Sequence, residues 1–459
     1  MRAHRCEGEG RALRARLIGN GPASLPGSQG DPASNRMAPR YHASMSRAAA
    51  ITSARELAER FDLARLEPSF YADPYPTYHA LRAHEPVKRL QNGSWFLTRY
   101  DDILPVYRDA KLFSSDKRKE FGPKFGPSPL LEHHTTSLIF NDPPLHTGVR
   151  RSIVGALSQR HIAAMEPGLA KLVDDLLDAM ADKATVDLIE DFAAAIPIGI
   201  IGNLLGVPRE EREPLRDWSL HILGALEPVL TERRASDGNR AVAEFLVYLK
   251  TLVDERRAHL RNPDTDVLTR LIVGDGEGEP LTENQLHHQC IFLLNAGHET
   301  TTNLIGNALF ALTEHSIAKA KLVAQPRNVE LFKTAVEEFL RFDSPVQLGN
   351  RITTQDVAVG GVELPADTRI NICIGAANRD PSQFADPDRL DIGRDPNRHV
   401  AFGFGIHTCA GLTLARLEAR IALSRFLQRF PRYALASEPV RGGRARFRGF
   451  LHLPAQLNA

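Results

Sequence analysis

The run LTENQLHHQCIFLLNAGHETTTNLIGNALFALTEHS, Leu281 to Ser316, constrains the fold more than any other part of the chain. Thr282 followed three residues later by Gln285 is a capping-box signature, and roughly thirty residues beyond it keep helical character, which predicts a helix of about 45 Å. A helix of that length crosses a whole domain. Its flanks, CIFLL and LIGNALFAL, are apolar almost all round, so other elements must surround it. The middle breaks the pattern, because Asn295, Gly297, His298, Glu299, Thr300, Thr301, Thr302 and Asn303 place polar groups and poor helix formers where burial penalises them. Function explains such a cost. Gly297 lets a large ligand lie against the backbone, while Thr hydroxyls and inserted water distort the hydrogen-bond ladder locally. A wet helix interface satisfied by its own residues is the plainer reading of this segment taken alone.

The remainder of the chain supplies the surround. From Arg150 to about Glu314 helical patterns dominate, broken at LLGVPRE and at GDGEGEP, a surface loop by its composition. Leu412 to Phe430 predicts a last long helix stopped by Pro431. Strand character is sparse: Asn92-Gly93 predicts a hairpin, and DVAVGGVELPADTRINICIG predicts short antiparallel pieces around a Gly-Gly turn. Ser114 to Phe140 carries many breakers and reads as a long irregular connection. Order is expected from about Ser53, in SARELAERFDL. Residues 1–50, rich in Arg, Ala, Gly, Ser and Pro, read as a disordered extension or as the product of a mis-assigned start, with Met37 or Met45 as alternative starts. The chain is therefore expected to be mainly α with a small β region (α+β).

Composition narrows the function classes. A formal charge of +1 over 459 residues gives no global attraction to nucleic acid. The four cysteines, Cys6, Cys290, Cys373 and Cys409, are too widely spaced for a disulfide framework or a structural zinc site, which fits a reducing cytoplasm. No uninterrupted apolar stretch approaches a membrane span, so no membrane anchor is expected.

HVAFGFGIHTCAG, His399 to Gly411, is where chemistry concentrates. Gly403, Gly405 and Gly411 permit turns and close approaches that a Cβ forbids. A helix follows, so its N-terminal amides and dipole favour a thiolate at Cys409. Such a thiolate, with Phe402 to cover it, suits an axial ligand of haem iron. Taken alone, the cysteine also fits a redox thiol or a loop residue without chemical importance. Two apparent motifs fail: Thr408 stands where a dinucleotide fingerprint needs its last glycine, and Thr302 stands where HExxH needs its second histidine.

FGFGIHTCAG resembles the haem-binding loop of the cytochromes P-450, FGxGxHxCxG, at every specified position. AGHETT resembles the oxygen-binding segment of that family, which implies Glu299 as acid and Thr300 as alcohol, with Ala296 and Gly297 against the haem. EEFLRFDSPVQ is similar to the family's ExxR segment. The resemblance implies a buried Glu338–Arg341 pair joined by a later arginine, for which Arg389 in DPDRLDIGR is the candidate. NDPPLHTGVRR resembles the helix that holds the haem propionates, which implies His146 and Arg150, with Arg351 and His407 completing the set; Gly148 departs from the Arg often found there. With FLTRYDDI and ANRDP the likeness runs from about Asp73 to Leu453.

The resemblance implies a single P450 haem domain over residues 53–459, with haem b (iron protoporphyrin IX) as cofactor and dioxygen as co-substrate. The implied activity is a bacterial-type monooxygenase that inserts one oxygen atom into an apolar small organic substrate. The chain carries no flavin, nicotinamide or ferredoxin motif. Electrons are therefore expected from ferredoxin and ferredoxin reductase, or equivalent external donors, docking near Arg150, Arg151 and Arg416. Pocket walls are expected from the Ser114–Phe140 connection, Leu294, Ala296 and Val346–Leu348. A peroxide-using relative, or a haem-based gas sensor or ligand-binding protein without turnover, stands as the alternative.

Overall fold

The computed structural model describes residues 53–274 and 280–458. The expected extension at 1–50, Cys6 and most of the GDGEGEP loop lie outside the described residues. Eight helices position the site: α1 (Pro129–Thr136), α2 (Leu145–Ala156), α3 (Ala195–Leu205), α4 (Glu213–Gly224), α5 (Glu232–Ala258), α6 (Glu283–Glu314), α7 (Val329–Phe342) and α8 (Leu412–Arg429).

α6 is the predicted long helix. Its capping box forms, with Thr282 Oγ1 accepting from the Gln285 N–H at 3.2 Å and Gln285 Oε1 accepting from the Thr282 N–H at 3.0 Å. The helix is buried along most of its length, packed by α3, α4, α5, α7 and α8. α3 ends where glycine allows it: Gly206 adopts φ +72°, and the Val207 N–H closes onto Gly202 O at 2.7 Å. One apolar window, Leu188–Leu205, matches a membrane span in length, and 72% of it is buried inside the fold.

The β region is a mixed five-stranded sheet with β1 (Val87–Arg89), β2 (Trp95–Leu97), β3 (Phe113–Ser114), β4 (Leu348–Thr353) and β5 (Arg369–Cys373), in the order β1-β2-β5-β4-β3. The Asn92-Gly93 hairpin forms as expected, with Val87 opposite Leu97 and Gly93 at φ +79°. Gly360 and Gly361, both at positive φ, join the antiparallel pieces 357–359 and 362–364. A C-terminal hairpin pairs β6 (Val440–Arg441) with β7 (Phe450–His452).

The Ser114–Phe140 connection is not irregular. It folds into a helix at Arg118–Phe125, then α1, then a single 3-10 turn. Residues read as breakers act as starters here: Ser128 caps α1 through the Leu131 N–H, and Pro129 occupies its first turn.

Candidate active site

Cys409 lies in the loop between a 3-10 turn at Gly405–His407 and α8. The loop is shaped by contacts that only glycine tolerates. Gly405 has φ +72°, and a Cβ there would sit 2.4 Å from the Tyr107 carbonyl oxygen. The Cys409 N–H then donates to Phe402 O at 2.9 Å, which folds the loop back on itself. Cys409, Phe402, His407, Ala296, Gly297 and Thr300 line one cavity of about 330 Å³.

Cys409 stands two residues ahead of the Gly411 cap. Burial holds its thiol above the ordinary range, and the Gly411 N–H with the charges of Arg150 and Arg416 opposes this without cancelling it. The helix end alone therefore does not produce the thiolate expected from sequence. A coordinated metal ion deprotonates a thiol outright.

His407 lines the same cavity, and His146 behind it brings its ring to 4.3 Å between centroids. Both nitrogens of His146 and Nε2 of His407 are buried without a partner among the described residues. Burial, with the nearby charges of Arg351, His146 and Arg150, lowers His407 to about 3. Arg351 donates to Asn350 O at 2.8 Å and stacks on Tyr107. Arg150 donates to Thr408 O at 2.5 Å. Two guanidiniums spending hydrogen bonds on carbonyls, beside imidazoles with open nitrogens, suit a buried ligand edge bearing two carboxylates. With a cysteine in the same cavity, these residues fit haem. Gly148 meets nothing. Lys117, missed in the sequence, lines this region with a buried ammonium lowered to about 8 by burial, 3.4 Å from Glu120.

Thr300 lines the cavity and donates its hydroxyl to Ala296 O at 2.8 Å. Glu299 is not among the lining residues. It is buried, with Arg444 of the C-terminal hairpin at 2.5 Å. Burial raises its carboxyl, and Arg444 is the main opposing influence. Gly297 admits a neighbour as well as a ligand, since a Cβ there would lie 2.6 Å from Ile201 Cδ1. A second acid was not foreseen. Glu418 of α8 lines the cavity and is raised to about 8 by burial, with the Thr301 hydroxyl as its hydrogen-bond partner. Its only sequence signal is a lone carboxylate on the buried face of LARLEARIAL.

Glu338 and Arg341 form the expected pair, fully buried, through two bonds of 2.8 Å. The third partner is Arg394 rather than Arg389. Arg394 Nε lies 3.2 Å from Glu338 Oε2, and the Asn397 amide adds a bond at 3.1 Å. Arg389 offers only its carbonyl to Arg341, at 3.2 Å, while its exposed guanidinium pairs with Asp386 and Asp391. The loop geometry places the later arginine's side chain on the acid, and spacing alone did not distinguish the two.

Other expectations shift by a residue or a role. Phe292 and Leu293 line the cavity where Leu294 was expected; Val346 and Leu348 do line it. Of the cations expected to receive a partner, Arg150 turns inward and Arg416 pairs with Glu337 at 2.7 Å, while Arg151 is exposed. Arg108 stacks on the exposed Phe404 ring at 5.1 Å, next to the Cys409 loop.

Comparison with known proteins agrees with this geometry. The family model described as Cytochrome P450 matches residues 92–435. A biotin biosynthesis cytochrome P450 of Bacillus subtilis (strain 168) is 35% identical over 370 residues, covering 80% of this chain and 91% of that protein. The vitamin D(3) 25-hydroxylase of Pseudonocardia autotrophica is 38% identical over 373 residues, covering 80% and 89%. The crystal structure of P450BioI in complex with hexadec-9Z-enoic acid ligated acyl carrier protein superposes with a TM-score of 0.79 at 33% identity, covering 85% of this chain and 99% of that one. Matched relatives include proteins named as hydroxylases and an epoxidase, which sets the sensor alternative aside.

Proposed function

The chain belongs to the cytochrome P450 family of haem-thiolate monooxygenases, and on that premise we propose that Cys409 is the axial ligand and that residues 53–459 form one haem domain. The observation that carries this is the coincidence, in one cavity, of a lone cysteine with His407, Arg150 and Arg351, with the buried, unpartnered ring of His146 set against His407. The two arginines and two histidines would hold the propionates. Bound haem supplies dioxygen activation, with the thiolate pushing electron density that favours O–O cleavage.

The chain's own residues manage position and protons. Apolar walls exclude water and hold an organic substrate. The Thr300 hydroxyl, borne on α6 at the cavity, rests as a donor to Ala296 O; turning its proton from that carbonyl into the cavity lets it pass the proton onward and accept a replacement. Glu299, adjacent in sequence and paired with Arg444, is the acid that recharges it through a movement or a water. Glu418, raised to about 8 and bonded to Thr301, holds a second proton at the cavity wall at neutral pH.

The family's bacterial members take electrons from external proteins. For this chain a ferredoxin with its reductase fits, docking at the Cys409 loop where Arg108, Phe404 and Ile406 are exposed. A cytoplasmic location follows from that partner. Reconstitution with ferredoxin, reductase and an apolar compound panel tests the reading: substrate-dependent reductant consumption with an oxygenated product is expected. Consumption without any product across the panel would contradict it.

A further inference from the structure

One wall of the cavity departs from its apolar character. α1 contributes His133 and His134 to it, and α6 contributes Asn295. All three side chains are buried, at 2%, 1% and 3% exposure. The His133 and His134 ring centroids are 5.0 Å apart, and His133 Nε2 lies 3.4 Å from Asn295 Nδ2. His133 Nδ1, His134 Nε2 and Asn295 Oδ1 have no hydrogen-bond partner among the described residues. Three open polar atoms on one wall are costly unless something bound there satisfies them.

The charge state of the wall narrows what that can be. Burial lowers both histidines: His133 with the neighbouring His134 and His288 adding to the effect, and His134 to about 3 with Lys124, Arg446 and His288 adding to it. Each imidazole is therefore neutral, with one N–H donor and one lone pair. Lys124 donates to Glu227 O at 2.7 Å, and the Arg446 guanidinium donates to Leu226 O and Leu348 O. Both cations also have the Glu227 and Glu120 carboxylates near them, and the three open atoms of the wall are themselves uncharged, which suits a hydroxyl or a carbonyl better than a carboxylate.

We propose that His133, His134 and Asn295 form a subsite for a neutral oxygen function, an alcohol or a ketone, carried by an otherwise apolar substrate. The proposal rests on the reading of this cavity as the substrate chamber. Asn295 and Thr300 are five residues apart on α6, which separates their backbone positions by about 7.5 Å along the helix axis, and both line the same cavity. A site built to bond an oxygen rejects the analogue lacking it, because its own polar atoms are then left unpaired.

Optical titration of the haem-loaded full chain tests this with two matched series. One is 5α-androstane, its 17β-alcohol and its 17-ketone; the other is tetradecane, 1-tetradecanol and tetradecanoic acid. In at least one series the alcohol or ketone is expected to bind about tenfold more tightly than its hydrocarbon. His134→Leu and, separately, Asn295→Leu are expected to weaken the alcohol about tenfold while strengthening the hydrocarbon. These opposite signs cannot arise from loss of structure, which weakens both. The proposal is overturned if no oxygenated compound outbinds its hydrocarbon, if both variants weaken the pair equally, or if tetradecanoic acid outbinds the alcohol and loses that advantage in His134→Leu. A carbonyl spectrum lacking thiolate character would instead sink the monooxygenase reading and leave these binding preferences measurable.

Discussion

Arg444 brings a guanidinium nitrogen to 2.5 Å from a carboxylate oxygen of Glu299, whose side chain is buried while that of Arg444 keeps a small exposed part. The contact ties the C-terminal hairpin to the centre of α6. The hairpin is itself anchored, because the Glu227 carboxylate accepts from the N–H groups of Ala445 at 2.7 Å and Arg446 at 3.1 Å. Arg444 therefore governs the acid beside Thr300 from outside the cavity-lining set.

Burial raises the Glu299 carboxyl and Arg444 opposes that rise. Arg444→Met removes the opposition, so the carboxyl moves further up. The limb of the pH–rate profile that depends on Glu299 ionisation is expected to shift to higher pH, read from product formation in the reconstituted system. An unshifted limb would mean that Glu299 does not report in turnover.

Glu418 gives a stability prediction with a definite sign. Its folded-state pKa is raised from 4.5 to about 8 by burial. The folded state therefore binds its proton more tightly than the unfolded chain, and stability falls as pH rises from about 4.5 toward 8. At pH 7 the cost is roughly 3 kcal/mol, from about 1.4 kcal/mol per unit. Glu418→Gln keeps an acceptor for Thr301 and never ionises. Urea denaturation should show it more stable than the parent at pH 7, with the two converging below about pH 4.5.

The Glu338 cluster separates two arginines that sequence spacing left together. Arg341→Ala strands a buried carboxylate and is expected to cost about 3–5 kcal/mol. Arg394→Ala removes a second cation from the same acid and should cost less. Arg389→Ala touches only an exposed guanidinium and should stay within about 0.5 kcal/mol of the parent. Denaturation midpoints of the three variants check the order.

Gly405 and Gly403 both adopt positive φ, but their surroundings differ. A Cβ at Gly405 meets the Tyr107 carbonyl at 2.4 Å, whereas the nearest atom at Gly403 is 3.7 Å away. Gly403→Ala should cost about 1–2 kcal/mol of backbone strain. Gly405→Ala should exceed that and lower the haem content of the purified protein, since the Cys409 loop must move.

Much of this was legible in the chain. The capping box at Thr282–Gln285 and the apolar flanks of α6 fixed the central helix, and Asn92-Gly93 fixed the first hairpin, because these signals act within a few residues. The Cys409 loop and the burial of the Glu338–Arg341 pair were readable through their likeness to the family's segments, since the residues alone also fitted a redox thiol and a solvated surface pair. What escaped depends on distant contacts. Arg394 rather than Arg389 reaches Glu338 because of how a loop some fifty residues later folds back. Arg444 meets Glu299 through the C-terminal hairpin, and no spacing rule connects them. Burial around Cys409, which opposes the pull of the Gly411 N–H and of the Arg150 and Arg416 charges on its thiol, is likewise invisible in sequence. Ser128 and Pro129 were read as breakers, although the same residues start α1.

The most direct test is the ferrous carbonyl spectrum of the haem-loaded protein beside that of Cys409→Ser. The parent is expected to show the red-shifted band of sulfur ligation, and the variant to lose it while still folding. A parent without that band, or a variant that retains it, would contradict ligation by Cys409.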